Sequence, residues 1–126
     1  EKVAQREAAA LRAEIDRKKA AQKEMKAQFK RDAADRFRIA REVAGLSTKQ
    51  FAGQMSETVQ TVESWEGMGS VGPVTPQNPL RWAEVRAVLG VGPDFLLLGL
   101  TAGLDPAKRD AIVRKVVAEN SPHLVR

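Results

Sequence analysis

The chain has 126 residues, enough for one compact domain or for a domain of ~70 residues with appendages. Its 21 Lys and Arg exceed its 16 Asp and Glu, giving a net charge of +5 and an isoelectric point near 9.9, an excess that suits an anionic partner. Zero cysteines exclude disulfides, thiolate metal sites and cysteine nucleophiles, and the lone histidine, His123, three residues from the end, leaves no set for a zinc site or a catalytic triad. The expectation is a protein with no metal, no cofactor and no enzymatic activity.

The longest uninterrupted apolar run is Phe95 to Leu98, far below the ~20 residues a membrane-spanning helix needs. The N-terminus is charged and alanine-rich, without a signal-peptide core. A cytoplasmic protein is the expectation. The chain opens at Glu1 rather than at a methionine, as a trimmed chain would.

No Gly or Pro precedes Gly45, and residues 1–44 are dominated by Ala, Lys, Arg, Glu and Gln, the strongest helix formers. The composition predicts one long helix or two abutting ones, too long for a compact domain to bury along its whole length. Its larger apolar residues fall at Leu11 and Ile15, then at Met25 and Phe29, with Lys18 and Gln22 between them on the seam and Ala4 and Ala8 extending it backward. That seam is thin and interrupted. It fits either a solvated helix or one that pairs with another helix.

From Gly45 the texture changes to short helical patches separated by punctuation. Ser47 with Gln50 three residues later, ahead of Phe51 and Ala52, is a capping-box signature for a helix running to about Met55. Ser56 and Glu57 break it, and Thr58 can cap a second short helix from Val59 whose apolar face is Val62 and Trp65. Two short helices joined by a turn of ~3 to 4 residues have the dimensions of a helix-turn-helix.

Residues 67–79 read as a loop rich in Gly and Pro. It contains Gly67, Gly69 and Gly72 in a literal G-x-G-x-x-G, but no strand precedes it and Pro73 follows, so a turn is the better reading than a dinucleotide site. A helix is expected from about Leu80 to Leu89, with Trp82, Val85, Val88 and Leu89 on one stripe, then Asp94 capping Phe95 to Leu98. Asp105 with Pro106 starts a last helix, striped by Ile112, Val113, Val116 and Val117 and ending near Asn120. No segment alternates with period two, so the chain reads as all-α.

The stretch from Arg36 to Gly99 resembles the Cro/cI-type (XRE-like) helix-turn-helix family of temperate phage repressors and related bacterial regulators. RFRIAREVAGLSTKQFA is similar to the family's first helix and the start of its second, TVQTVESWE (Thr58 to Glu66) to its recognition helix, and LGVGPDFLLLG (Leu89 to Gly99) to its closing helix. The resemblance implies an all-α, lambda-repressor-like five-helix helix-turn-helix domain over 35–100, preceded by a helical extension over 1–34 and followed by a C-terminal helix and tail over 101–126. It implies binding of double-stranded operator DNA as a repressor in the cytoplasm of a bacterial host. The alternative on the same fold is a protein-interaction module such as an antitoxin or adaptor.

The family pattern implies a buried ion pair between Arg41 and Glu66. It places Thr48 and Lys49 beside a phosphate, and Thr58, Val59, Gln60, Thr61, Glu63 and Ser64 at the DNA; Gln can bond an adenine edge, and Val or Thr can meet a thymine methyl. Both tryptophans read as core rather than base-stacking residues. Ser56 stands where the family has a turn glycine, Glu57 where it has an apolar residue, and no Lys or Arg occurs from Gly67 to Leu80. Phosphate contacts are therefore expected from Lys30, Arg31, Arg36 and Arg38, or from a second subunit. A weak homodimer, or a monomer that pairs on DNA, is expected, through Ile112, Val113, Val116 and Val117 or through Leu11, Ile15, Met25 and Phe29; the alternative is that the two surfaces pack against each other within one chain.

Overall fold

A computed structural model describes residues 2–68 and 75–126, and among them it contains α-helices and one short 3-10 turn but no strand. The protein is all-α. The first helix, α1 (Lys2–Val43), is a single unbroken helix of 42 residues, about 63 Å long at about 1.5 Å per residue. It stops at Gly45, whose φ of 75° lies in the left-handed region. Leu46 N–H donates to the Arg41 carbonyl at 3.2 Å and Gly45 N–H to that of Glu42 at 3.0 Å, so the last carbonyls of α1 are satisfied by a Schellman turn. Residues 2–26 are exposed on every side, and α1 enters the helical body only at Asp32, after which Ala33, Ala34, Phe37, Ile39 and Ala40 are buried.

Two short helices follow, α2 (Thr48–Met55) and α3 (Val59–Trp65). Both halves of the capping box at α2 are formed: Ser47 Oγ accepts from Gln50 N–H at 3.1 Å, and Gln50 Oε1 accepts from Ser47 N–H at 2.8 Å. Thr58 caps α3 by accepting from Thr61 N–H at 3.2 Å. Phe51, Ala52 and Met55 of α2 and Val62 and Trp65 of α3 are buried in one core with Phe37. The ring of Phe37 lies 5.7 Å from that of Trp65 and 5.9 Å from that of Trp82, so both tryptophans are core residues, Trp65 buried and Trp82 half-buried.

Beyond the 67–79 loop, of which Gly69 and Gly72 lie outside the described residues, comes α4 (Pro79–Leu89), capped by Asn78. In α5 (Pro93–Leu98) the expected cap is corrected: Gly92, not Asp94, is the N-cap, because Pro93 takes the first helical position and moves Asp94 inside the helix. Asp105 caps α6 (Pro106–Ala118) as expected, accepting from the Ala107 and Lys108 N–H groups.

The C-terminal segment shares the core rather than standing apart as a tail. Ile112 and Val116 of α6 and Leu124 of the terminal 3-10 turn (Pro122–Leu124) are buried with Phe37, Phe95 and Leu96. Arg36 ties this end down: its Nε donates to the Leu124 carbonyl at 2.7 Å and its Nη1 to the Leu97 carbonyl at 2.9 Å. Burial holds the Arg36 pKa below the usual arginine value. Gly99 completes the clamp, since at φ 74° a Cβ there would stand 2.5 Å from the Leu124 carbonyl oxygen and 3.0 Å from the Arg36 guanidinium.

A charged network joins α1 to α6. Arg38 grips Glu119 with both terminal nitrogens, at 3.1 and 2.6 Å, and Lys115 reaches Glu42 at 2.7 Å. The hydrogen bond from Arg38 holds the Glu119 carboxyl below its ordinary 4.5 against partial desolvation. At Glu42 desolvation pushes upward, but Lys115 and Arg38 outweigh it and the net shift is also downward. Lowered carboxylate pKa values contribute stability that is present above the unfolded value and lost as pH falls through the folded values. Thermal melts should therefore show Glu119→Gln less stable than the parent at neutral pH, with the difference shrinking as the pH is taken below about 4. A pH-independent difference would remove this network as its cause.

Candidate nucleic-acid interface

The α2–α3 unit is fixed at its ends by buried charge. Arg41, near the end of α1, donates from Nε and Nη2 to the two carboxylate oxygens of Glu66 at 2.7 and 3.0 Å, and from Nη1 to the Leu46 carbonyl at 2.8 Å. One guanidinium thereby holds the chain entering α2 and the residue leaving α3, in the bidentate geometry that gives arginine–carboxylate pairs their directionality. The expected Arg41–Glu66 pair is present, and Glu66 has no side-chain exposure.

The turn between the helices closes on a left-handed serine. Ser56 has φ 53° and ψ 42°, and Glu57 N–H donates to the Ala52 carbonyl at 2.9 Å, the same cap that Gly45 makes on α1. Arg81 of α4 completes this corner by forming an ion pair with Glu57 and donating from Nη1 to the Met55 carbonyl at 2.7 Å. A residue 24 positions further along the sequence thus pairs with the acid in the turn, while also reaching Glu84 at 2.8 Å, and covers the end of α2. No spacing rule in the sequence pointed to Arg81.

Of the residues expected to face DNA, Gln60 is exposed on the outer face of α3, and Lys49 is exposed beside the N-terminus of α2. Thr48 is half-buried next to it. Val59 packs its side chain against the core edge. The hydroxyls of Thr58 and Thr61 are 3.0 Å apart, and Ser64 Oγ donates to the Gln60 carbonyl at 3.0 Å, so these three are engaged within α3. Glu63 is half-buried and has no ion-pair partner among the described residues.

The four expected phosphate contacts separate. Arg36 is buried with its guanidinium turned onto the Leu97 and Leu124 carbonyls, so that assignment is corrected: it is withdrawn from the surface a phosphate could reach. Arg38 is corrected likewise, being held between Glu119 and Glu42 with its pKa raised chiefly by the hydrogen bond to Glu119. Arg31 is exposed but bridges to Glu24 at 3.1 Å and Gln28 at 2.7 Å, while Lys30 is exposed and unpaired among the described residues. The Ile112–Val116 dimer surface is corrected too, because both side chains are fully buried against α1. Val113 is half-buried and only Val117 of that stripe is exposed.

No protein family, curated protein or solved structure matches the chain. Among the described residues no helix is long and apolar enough to cross a membrane, and no group of three or more His, Cys, Asp or Glu could hold a metal ion.

Two stability measurements check this geometry. Arg41→Ala or Glu66→Ala should each destabilise by about 3 to 5 kcal/mol, because each leaves the other charge buried and unpaired. Chemical denaturation reads this directly, and a change below about 1 kcal/mol for both would contradict the pair's role. Ser56→Gly should instead stabilise by up to about 1 kcal/mol, since glycine adopts the left-handed turn without the Cβ penalty; a loss of stability would mean that the serine hydroxyl is needed.

Proposed function

We propose that this protein is a sequence-specific double-stranded DNA-binding regulator of the Cro/cI type, a repressor that acts by occupying operator DNA in the cytoplasm of a bacterial host. The observation that carries the proposal is the α2–turn–α3 unit. Two short capped helices are joined by three residues, locked by Phe51, Met55, Val62 and Trp65 and by the Arg41–Glu66 pair, with Gln60 and Lys49 left outward. A helix presented in this way fits the major groove, where a glutamine amide pairs with the N6 and N7 edge of adenine. Lys49 and the N-terminal N–H groups of α2 supply a phosphate contact. The net charge of +5 supports the same reading.

The ion pair of Arg81 with Glu57 also supports it, because an acid in the turn with no cation beside it would repel a phosphate backbone more strongly; Arg81 divides its charge between Glu57 and Glu84. The other reading, a protein-interaction module, is favoured by a separate observation, the exposed apolar seam of α1. The two are separated by fluorescence anisotropy on genomic fragments at two salt concentrations. A regulator gives a saturable complex with particular fragments above a weaker, salt-sensitive background, and an interaction module gives the background at most.

On the cognate fragment, Gln60→Ala should weaken binding by about 1 to 3 kcal/mol while leaving random DNA almost unaffected. Lys49→Ala should weaken both and reduce the salt slope by about 1. An equal loss for Gln60→Ala on cognate and random DNA would place Gln60 outside the groove.

A further inference from the structure

The outer part of α1 projects as a rod, and of its apolar residues only Met25 and Phe29 come near the body, lining a groove with Trp65, Thr75 and Gln77. A helix exposed on all sides gains nothing from burial, and only weak side-chain pairs such as Glu14–Lys18 at 3.5 Å hold it. Yet it carries an apolar seam: Leu11 is 58%, Ile15 42%, Met25 71% and Phe29 45% exposed. With Ala4, Ala8, Lys18 and Gln22 the seam runs at alternating spacings of 4 and 3, the repeat of a two-helix interface.

That seam is self-complementary when reversed. Turned end for end about Ala20, Leu11 faces Phe29, Ile15 faces Met25 and Lys18 faces Gln22. We infer that the outer half of α1 pairs with the same segment of a second copy of this chain, antiparallel, on a two-fold axis at Ala20. Every large apolar side chain of the seam then meets another large apolar side chain, in the self-matching manner a two-fold interface requires.

A parallel pair is excluded by charge. In register it would press Lys18 against Lys18 of the second copy inside the seam, whereas the antiparallel pair sets Lys18 against Gln22. The Glu14 carboxylate of its own chain draws the Lys18 ammonium aside, so that the aliphatic stem lies in the seam. The face bearing Met25 and Phe29 runs on through Ala33 and Phe37 into the core, so the antiparallel pairing runs over residues 9–31, and residues 2–7 of each copy lie outside it. The four large side chains expose roughly 400 Å² per chain, so their pairing buries at most about 800 Å², which is the size of a weak, reversible interface.

The flanks set the strength and its salt dependence. In the antiparallel pair Lys19 lies beside Lys19 of the second copy and Arg12 beside its Lys26, while Glu14 meets Gln28 and Ala21 meets Ala21. Like charges beside an apolar seam weaken pairing at low ionic strength, and salt relieves the repulsion. The dimer therefore tightens with salt, opposite to a protein–DNA complex. The inference does not use the DNA-binding reading, and its test contains no DNA.

Because the chain has no cysteine, single cysteines report the pairing directly. On the full chain under mild oxidation, Lys18→Cys alone and Gln22→Cys alone should stay monomeric, and an equimolar mixture of the two should form the disulfide-linked dimer. Both positions are exposed and outside the core, so folding is unaffected. Sedimentation of the unmodified chain should show mass rising with concentration from 13.8 kDa towards twice that value, more readily at high salt. The variant Lys18→Leu with Gln22→Leu should tighten the dimer by about tenfold or more by removing the polar layer. Self-linking of Lys18→Cys would overturn the antiparallel register, and a monomer at every concentration and salt would overturn the dimer.

Discussion

The structure depends on one guanidinium in the right place. Arg41 sits in the last turn of α1, where its three hydrogen bonds reach the Leu46 carbonyl and both oxygens of Glu66. Those three groups belong to the start and the end of the α2–α3 unit, so the direction in which α3 presents its outer face follows from the phase of α1 at residue 41. A buried pair of this kind adds little net stability over a well-packed apolar replacement. Its value here is directional, since a carboxylate gripped at two oxygens cannot rotate, and the apolar contacts of Phe51, Val62 and Trp65 supply the burial that makes the arrangement compact.

The same logic recurs at the other end of the body. Arg36, one turn and a half before Arg41, holds the backbone carbonyls of Leu97 and Leu124, so that α5 and the C-terminal turn close over α1. Arg38, between them, points to α6 through Glu119. Three arginines at positions 36, 38 and 41 of one helix therefore organise three different parts of the chain, Arg36 and Arg41 buried and Arg38 half-buried and held by carboxylates. This is why a stretch that reads as basic contributes less to an electrostatic surface than its composition promises.

The features legible in the sequence are those whose physics is local. Ser47 with Gln50, Thr58, and Asp105 with Pro106 place helix starts because a cap and its acceptor lie within three residues of one another. The all-α character and the core positions of Phe51, Val62, Trp65, Val85 and Leu89 follow from period. What was not legible depends on long separations. Arg36 bonds a carbonyl 88 residues away and Arg38 a carboxylate 81 residues away, and both look from the sequence like surface cations available to phosphate. The stripe of Ile112 and Val116 announces a buried face without saying what covers it; the answer is α1 of the same chain. The cap of α5 falls at Gly92 although Asp94 is the cap-favouring residue, because Pro93 pre-empts the first helical position. The Cro/cI-like pattern in residues 36–99 led to Arg41 and Glu66 but not to Arg81, which compensates a glutamate peculiar to this turn.

An unbroken α1 also links the two proposals mechanically. The helix enters the body at residue 33 without a glycine or proline between there and the seam, so the body has no hinge of its own relative to the rod. In an antiparallel pair centred on Ala20, each body begins 13 residues from the axis, which sets the two entry points about 40 Å apart along the pair. Successive major grooves on one face of DNA are about 34 to 36 Å apart, so the spacing is of the order that two α3 helices need to reach neighbouring half-sites. On the two proposals together the rod would act as a ruler: its length between Ala20 and Ala33 would set the separation, and inserting or deleting residues there would both change the distance and rotate each body about its own α1 by about 100° per residue.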